Sequence, residues 1–211
     1  MTVTINQRVA LHQGKVFLMV RENVTLDNGV ATDLDYIEHP GAAAIVPLIA
    51  PGEVLLIKQY RHALKQHIWE IPAGTLDSAE TVMDCAMREL IEETGYAADR
   101  WEKLGQITPV PGYSNERVHL FLASGLRAAR QKLDADEVLA VHRMPLVRAL
   151  DMITQGEIQD AKSICGLLLA GKRSAALEER PPTADLRSGP PEAGLEEKKE
   201  EEKFNSSVES A

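Results

Sequence analysis

A chain of 211 residues has room for one domain with a sizeable core and a tail. It is 44% hydrophobic and 26% charged, as a soluble globular protein is, and its net charge of -9 speaks against a nucleic-acid polymer as partner, because phosphate backbones call for a basic surface. A small phosphorylated ligand is compatible with that charge, since a bound metal inverts the local field.

Cys85 and Cys165 form no CxxC pair, so no structural zinc site is expected. Two reduced thiols are the plain reading, with a disulfide as the alternative. The N-terminus has no basic stretch leading into an apolar run, and the longest apolar stretch, Gly41 to Ala50, is too short to span a bilayer. The expectation is a cytoplasmic protein with no membrane partner.

Taken in chain order, Val16–Val20 and Val24–Leu26 alternate as strands do. Asp27-Asn28-Gly29 then supplies a turn, and Val30–Ile37 is the returning strand. Gly41–Leu48 and Val54–Gln59 read as buried strands joined by a hairpin at Pro51-Gly52. Ser78–Glu93 reads as a helix, with Asp77 or Ser78 as N-cap and Gly95 as its stop. Leu104–Ile107 and Val118–Ala123 read as strands around a loop, Thr108–Asn115. Pro145–Thr154 and Asp160–Ala170 read as two helices split by Gln155-Gly156. Residues 173–211 hold 6 basic and 10 acidic side chains and few large apolar ones, so a disordered acidic tail is expected.

On the first helix, Glu89, Glu92 and Glu93 fall within one arc of roughly 100°. Met83, Met87, Leu90 and Thr94 fall on the opposite side, the face expected to pack on the sheet. Clustered carboxylates repel, and a hard divalent cation reverses that sign. A solvated acidic face partly neutralised by Arg88 is the alternative reading of the triplet alone. The wider spacing decides between them. Gly74 to Tyr96 fits Gx5Ex7REUxEExGU, with U a bulky apolar residue: Gly74, Glu80, Arg88, Glu89, Glu92, Glu93 and Gly95 stand at fixed positions, and Leu90 and Tyr96 take the U positions.

This stretch resembles the Nudix box. The resemblance implies an α+β fold, an α/β/α sandwich with a mixed sheet, preceded here by N-terminal antiparallel strands. It implies hydrolysis of the diphosphate in a nucleoside diphosphate derivative with Mg²⁺ as cofactor, Mn²⁺ being an alternative. It further implies Glu89, Glu92, Glu93 and the Ala73 carbonyl as metal ligands, Glu92 and Glu93 as catalytic, and Arg88 as an orienter of carboxylates. The domain plan is an N-terminal strand region over residues 1–40, a hydrolase domain over 41–172 and the tail.

Flanking residues point to a branch. Gln59-Tyr60-Arg61, Trp69-Glu70-Ile71-Pro72-Ala73-Gly74, Pro111 placed 15 residues after Tyr96, Gly112-Tyr113-Ser114-Asn115-Glu116, and Gly156-Glu157-Ile158-Gln159-Asp160-Ala161-Lys162-Ser163 together resemble the ADP-ribose pyrophosphatase branch, and His39-Pro40-Gly41-Ala42 also fits it. Its reaction yields AMP and ribose 5-phosphate. By that resemblance Glu116 orients or deprotonates the attacking water or ligates metal, and Arg61, Glu70 and Gly112 contact substrate. Arg21, with Glu22, reaches the site of a neighbouring subunit in a homodimer. The alternatives are another nucleotide sugar or dinucleotide (GDP-mannose, FAD, NADH), or a binding module that senses ADP-ribose without cleaving it. Intact box glutamates weigh against the last.

Overall fold

The computed structural model describes residues 2–178, apart from 134 and 136; of the tail expected to be disordered over 173–211, residues 173–178 instead continue a helix, and 179–211 lie outside the described residues. Three strands come first: β1 (Thr4–Gln13), β2 (Leu18–Thr25) and β3 (Ala31–Glu38), an antiparallel sheet in the order β1-β2-β3. The first of these was not foreseen. All ten of its residues are exposed, so it carries little of the alternation that marks a half-buried strand. The stretches read as separate strands at 16–20 and 24–26 are parts of one, β2. The turn at Asp27-Asn28-Gly29 is present, with Gly29 left-handed at φ 83°.

The second sheet holds β4 (Ala42–Ala50), β5 (Glu53–Arg61), β6 (Gln66–Glu70), β7 (Ala73–Thr75), β8 (Tyr96–Ile107), β9 (Val118–Ala128) and β10 (Leu139–Pro145). Its order is β10-β5-β4-β9-β8, with β6 paired to β5 and β7 to β4. β4 and β9 run parallel and the other pairs antiparallel, so the sheet is mixed. Three helices complete the described fold: α1 (Val82–Thr94), α2 (Leu146–Thr154) and α3 (Ala161–Glu178), the last running past the expected end at Ala170. No described helix is long and apolar enough to cross a membrane.

The period of two along a strand sorts the core into two layers. Ala42, Ala44 and Val46 of β4, with Val118 and Leu120 of β9, face Leu146, Ala149, Met152, Leu167 and Ala170 of α2 and α3. Ala43 and Ile45, with Phe121 and Ala123, face Cys85, Ala86 and Leu90 of α1. The fold is thus helix, sheet and helices in layers, as expected. The alanines of β4 keep both helical layers close to the sheet. On the α3 side the approach is tighter still: a Cβ on Gly166 would lie 2.9 Å from Ile71 Cδ1 and 3.1 Å from Val46 Cγ2.

Helix α1 begins later than the sequence suggests. Thr81 is its N-cap, its Oγ1 accepting from Asp84 N at 3.2 Å. Residues 77–80 form a turn instead: Glu80 N bonds to Asp77 O at 3.1 Å, and Ala79 is left-handed at φ 66°. The turn aims the Glu80 carboxylate back at Arg88, which a helical start at Ser78 would not do. Gly95, at φ 74°, ends the helix as expected.

Gly166→Val should overpack the contact between α3 and β4 and lower unfolding free energy by about 1–3 kcal/mol. Urea melts would check this, and wild-type stability would show that the helix can withdraw from the sheet.

Candidate active site

The acidic arc of α1 faces inward. Cys85, Ala86, Glu89, Leu90, Glu93 and Thr94 are its buried residues, whereas Met83 and Met87 are 36% and 43% exposed. The expectation that both methionines pack on the sheet is therefore corrected. Part of the helix is covered by the main chain of residues 73–75, which offers a peptide N–H and space for a carboxylate where a sheet side chain would offer neither.

Glu93 is 1% exposed and its Oε2 accepts from Ala73 N at 2.8 Å. Gly74 lies directly over Glu89: a Cβ there would fall 1.7 Å from Glu89 Oε1, so only glycine permits this approach. Arg88 ties the cluster together. Its Nε and Nη2 donate to the two oxygens of Glu80 at 2.8 and 2.9 Å, and Nη2 also donates to Thr75 O at 3.2 Å. Its Nη1 donates to Glu89 Oε1 at 2.5 Å and Glu92 Oε2 at 3.0 Å. The Cys85 thiol lies 3.5 Å from Gly74 O and 3.6 Å from Thr75 O, and burial pushes its pKa up to about 12.

The electrostatics follow from this burial. Desolvation raises Glu89 to about 7, opposed by Arg88 and reinforced by Glu92 and Glu137. Desolvation raises Glu93 to about 8, opposed by the Ala73 N–H and Lys162 and reinforced by Glu89 and Glu137. Glu80, gripped by Arg88, is lowered to about 2.

Arg61 and Glu70 stand together. Glu70 is 2% exposed and takes two bonds from Arg61, at 2.9 and 2.5 Å, with Lys162 Nζ 3.3 Å away. The Arg61 side chain is 40% exposed and its charge also acts on Glu93. The other expected residues lie against different partners. Glu116 Oε1 is 3.8 Å from His39 Nδ1. Arg21 forms a two-pronged pair with Asp35, at 2.7 Å twice, on the first sheet. Gly112 sits in open space within a loop fastened to β3 by Ile37 N to Tyr113 O at 2.8 Å and Asn115 N to Ile37 O at 3.1 Å.

Glu137 and Lys162 were not among the expected site residues. Glu137 follows β9 on a loop docked to the end of α1: Ala129 N bonds to Gly95 O at 2.7 Å, Gln131 Nε2 to Glu93 O at 2.5 Å and Lys132 N to Glu92 O at 3.1 Å. The signal available in the sequence was the acidic run Asp134-Ala135-Asp136-Glu137 just ahead of the apolar alternation of β10. Cys85 and Cys165 are both free thiols, so the disulfide alternative does not hold. A cavity of about 480 Å³ lies apart from the box, lined by Gln106, Ile107, Thr108, Pro109, Arg117, Ala161 and Cys165.

A three-layered fold around a box of this geometry defines a class, the diphosphate hydrolases built on a loop–helix–loop, and residues 38–167 match the NUDIX domain. The chain belongs to the Nudix family and is a Nudix hydrolase similar to ADP-ribose pyrophosphatases. It is 39% identical over 155 residues to "ADP-ribose pyrophosphatase" of Bacillus subtilis (strain 168), covering 72% of this chain and 84% of that one. It is 36% identical over 161 residues to "ADP-ribose pyrophosphatase" of Mycobacterium tuberculosis (strain ATCC 25618 / H37Rv), covering 75% and 78%. In fold it is similar to a crystal structure of "ADP compounds hydrolase", with TM-score 0.74 at 22% identity over 84% of this chain and 96% of that one.

Raised carboxyl pKa values make a stability prediction. Between the ordinary value of 4.5 and the folded values of about 7 and 8, the folded state holds protons that the unfolded chain has lost. In chelator, the stabilising share of Glu89 and Glu93 is complete below 4.5 and lost as pH rises through 7 to 8. The melting temperature should fall across that window, and Glu93→Gln should flatten the fall. A slope that Glu93→Gln leaves untouched would place its origin elsewhere.

Proposed function

We propose that the protein hydrolyses ADP-ribose to AMP and ribose 5-phosphate, with Mg²⁺ as cofactor and Mn²⁺ as an alternative, in the cytoplasm. The observation that carries the reaction type is the pair of buried carboxylates, Glu89 and Glu93, gathered under Ala73-Gly74 in a complete box. The substrate is supported by the two relatives that bear the name ADP-ribose pyrophosphatase.

The donor set suits a hard divalent cation: Glu89, Glu92 and Glu93, with the Ala73 carbonyl, would hold it through oxygen, and Glu116 is a further candidate ligand. Among the described residues no three Asp, Glu, His or Cys side chains converge on a cation as placed, with Arg88 engaged by Glu89 and Glu92 and with Glu93 turned to Ala73 N–H. Glu89 and Glu93, raised to about 7 and 8, would give up protons to bind it. When bound, the cation supplies charge neutralisation at the diphosphate and a more acidic water.

The chain's own residues do the rest. Arg88 holds Glu89 and Glu92 in place, and the open edge of Arg61 is available to a phosphate or ribose oxygen beside the box. Glu70 orients Arg61, and Gly112 leaves room for substrate beside the loop. Water must lose a proton as it attacks phosphorus and the bridging P–O bond breaks. Of the two loop carboxylates able to take it, Glu137 is the better supported, because its charge acts on both Glu89 and Glu93 while Glu116 lies against His39. In Mg²⁺, Glu93→Gln should lose turnover by orders of magnitude, and Glu137→Gln should cost more kcat than Glu116→Gln. Product analysis over ADP-ribose, GDP-mannose and FAD checks the substrate. A much higher kcat/KM for GDP-mannose or FAD would overturn the ADP-ribose assignment.

The protein is further proposed to be a homodimer joined through its first sheet, Arg21 reaching the partner's site. β1 is fully exposed, and the same sheet leaves Ile5, Val9, Leu11, Met19 and Leu34 between 38% and 58% exposed, more apolar surface than a free sheet favours. Light scattering at micromolar concentration should give twice the chain mass. A monomer with full activity would refute the assembly.

A further inference from the structure

The segment Glu70–Ala73 delivers a peptide N–H, that of Ala73, to the Glu93 carboxylate, and each of its residues is held from outside. The Glu70 carboxylate is clamped by Arg61 and by Lys162. Ile71 N donates to Ser163 Oγ at 2.8 Å. Pro72 O accepts from Ile45 N at 2.8 Å, and Ala73 N donates to Glu93 Oε2 at 2.8 Å. Proline fixes one of the torsions between Ile71 and Ala73, so a displacement at Ile71 has few ways to be absorbed before it reaches Ala73.

Ser163 lies in the first turn of α3, from the layer opposite the box helix, and is 0% exposed. Its hydroxyl has a defined direction. Asp160 Oδ2 accepts from Ser163 N at 3.0 Å and from Ser163 Oγ at 2.5 Å, so the hydroxyl proton is committed to Asp160 and a lone pair is left for Ile71 N–H. Lys162 Nζ, 3.0 Å from Asp160 Oδ2 and 3.3 Å from Glu70 Oε2, ties the two acids to each other. Capping α3 needs only the Asp160 carboxylate and the Ser163 peptide N–H; it does not need the Ser163 hydroxyl. The hydroxyl's remaining bond is to the strand that serves the box.

We infer that Ser163, oriented by Asp160, is a positioning residue for the hydrolytic site: it sets the Glu93 carboxylate through the main chain of Ile71, Pro72 and Ala73. The inference rests on the metal-dependent reading above for its effect on turnover, and on geometry alone for its effect on Ala73. A relay of this kind crosses the whole sheet. It couples the cap of α3 on one face to the most buried acid of α1 on the other.

The test compares Ser163→Ala, Ser163→Thr and the core control Met152→Ala in the full chain. Three readouts are taken: amide hydrogen exchange at Ile71 and Ala73 without substrate, Mn²⁺ affinity by calorimetry, and kcat and KM on ADP-ribose. Ser163→Ala should speed exchange at both amides, weaken Mn²⁺ binding or turnover by about 10- to 100-fold, and change KM little. Ser163→Thr, which keeps the hydroxyl, should restore all three. Met152→Ala should lower the melting temperature yet leave Ala73 exchange and Mn²⁺ affinity as in wild type. If Ser163→Ala does not fold, Asp160→Asn, which keeps the acceptor but not the charge, should shift the readouts in the same direction by less. The relay is overturned if Ser163→Ala merely loses stability as Met152→Ala does, with Ala73 exchange and Mn²⁺ affinity unmoved, or if a folded Ser163→Thr rescues nothing. Should the wild-type chain fail to cleave ADP-ribose, the substrate reading falls while Ala73 exchange still decides the relay.

Discussion

Burying Glu93 is the constraint on which the rest of the site depends. A carboxylate that is 1% exposed is costly unless it is neutral, hydrogen-bonded or paired with a cation. The chain meets that demand locally. Ala73 offers its N–H, Gly74 leaves out a side chain so that the loop can close over Glu89, and Arg88 gathers Glu80, Glu89 and Glu92. Each of these residues serves the same end, a concentration of negative charge that water alone does not neutralise. The raised pKa values of Glu89 and Glu93 express the residual cost. A carboxylate held in that state responds strongly to any charge brought beside it.

The fold supplies the means. Alternation along β4 sends Ala43 and Ile45 toward α1 and Ala42, Ala44 and Val46 toward α2 and α3, so one short-sided strand brings both helical layers near the same loop. The parallel pairing of β4 with β9 then carries the chain, after β9, to the end of α1, where Ala129, Gln131 and Lys132 bond its last carbonyls. Capping the helix and placing Glu137 near the box are therefore one structural act.

Much of this was legible in the sequence, because the chemistry-bearing residues of the box are local. Their spacing on a helix of known pitch puts three carboxylates within one arc, and Gly95 and the polar flanks mark where that helix lies. Helix and strand periods likewise placed β3, β4, β5 and α2 closely, whereas β8 starts well before the stretch read at 104–107, β9 runs past the expected end at Ala123, and β6, β7 and β10 were not read as strands. The failures have physical causes. β1 buries neither face, so it leaves no alternation to read. The helix start was misplaced because Glu80 serves Arg88 rather than the first turn. Met83 and Met87 were assigned inward because amphipathicity assumes that water is the polar partner, and here a peptide loop is.

By itself, then, the sequence determined the family, the box and the type of reaction, since these rest on one continuous stretch, Gly74 to Tyr96. Only the tertiary structure decided which carboxylates are buried, that Arg61 is shared with Glu70, that Glu116 lies beside His39, that the charge of Glu137 acts on Glu89 and Glu93, and that Ser163 accepts from Ile71 N. Periodicity reports the face of one element. What covers that face depends on loops and on pairing between strands far apart in the chain, and no local pattern encodes their meeting.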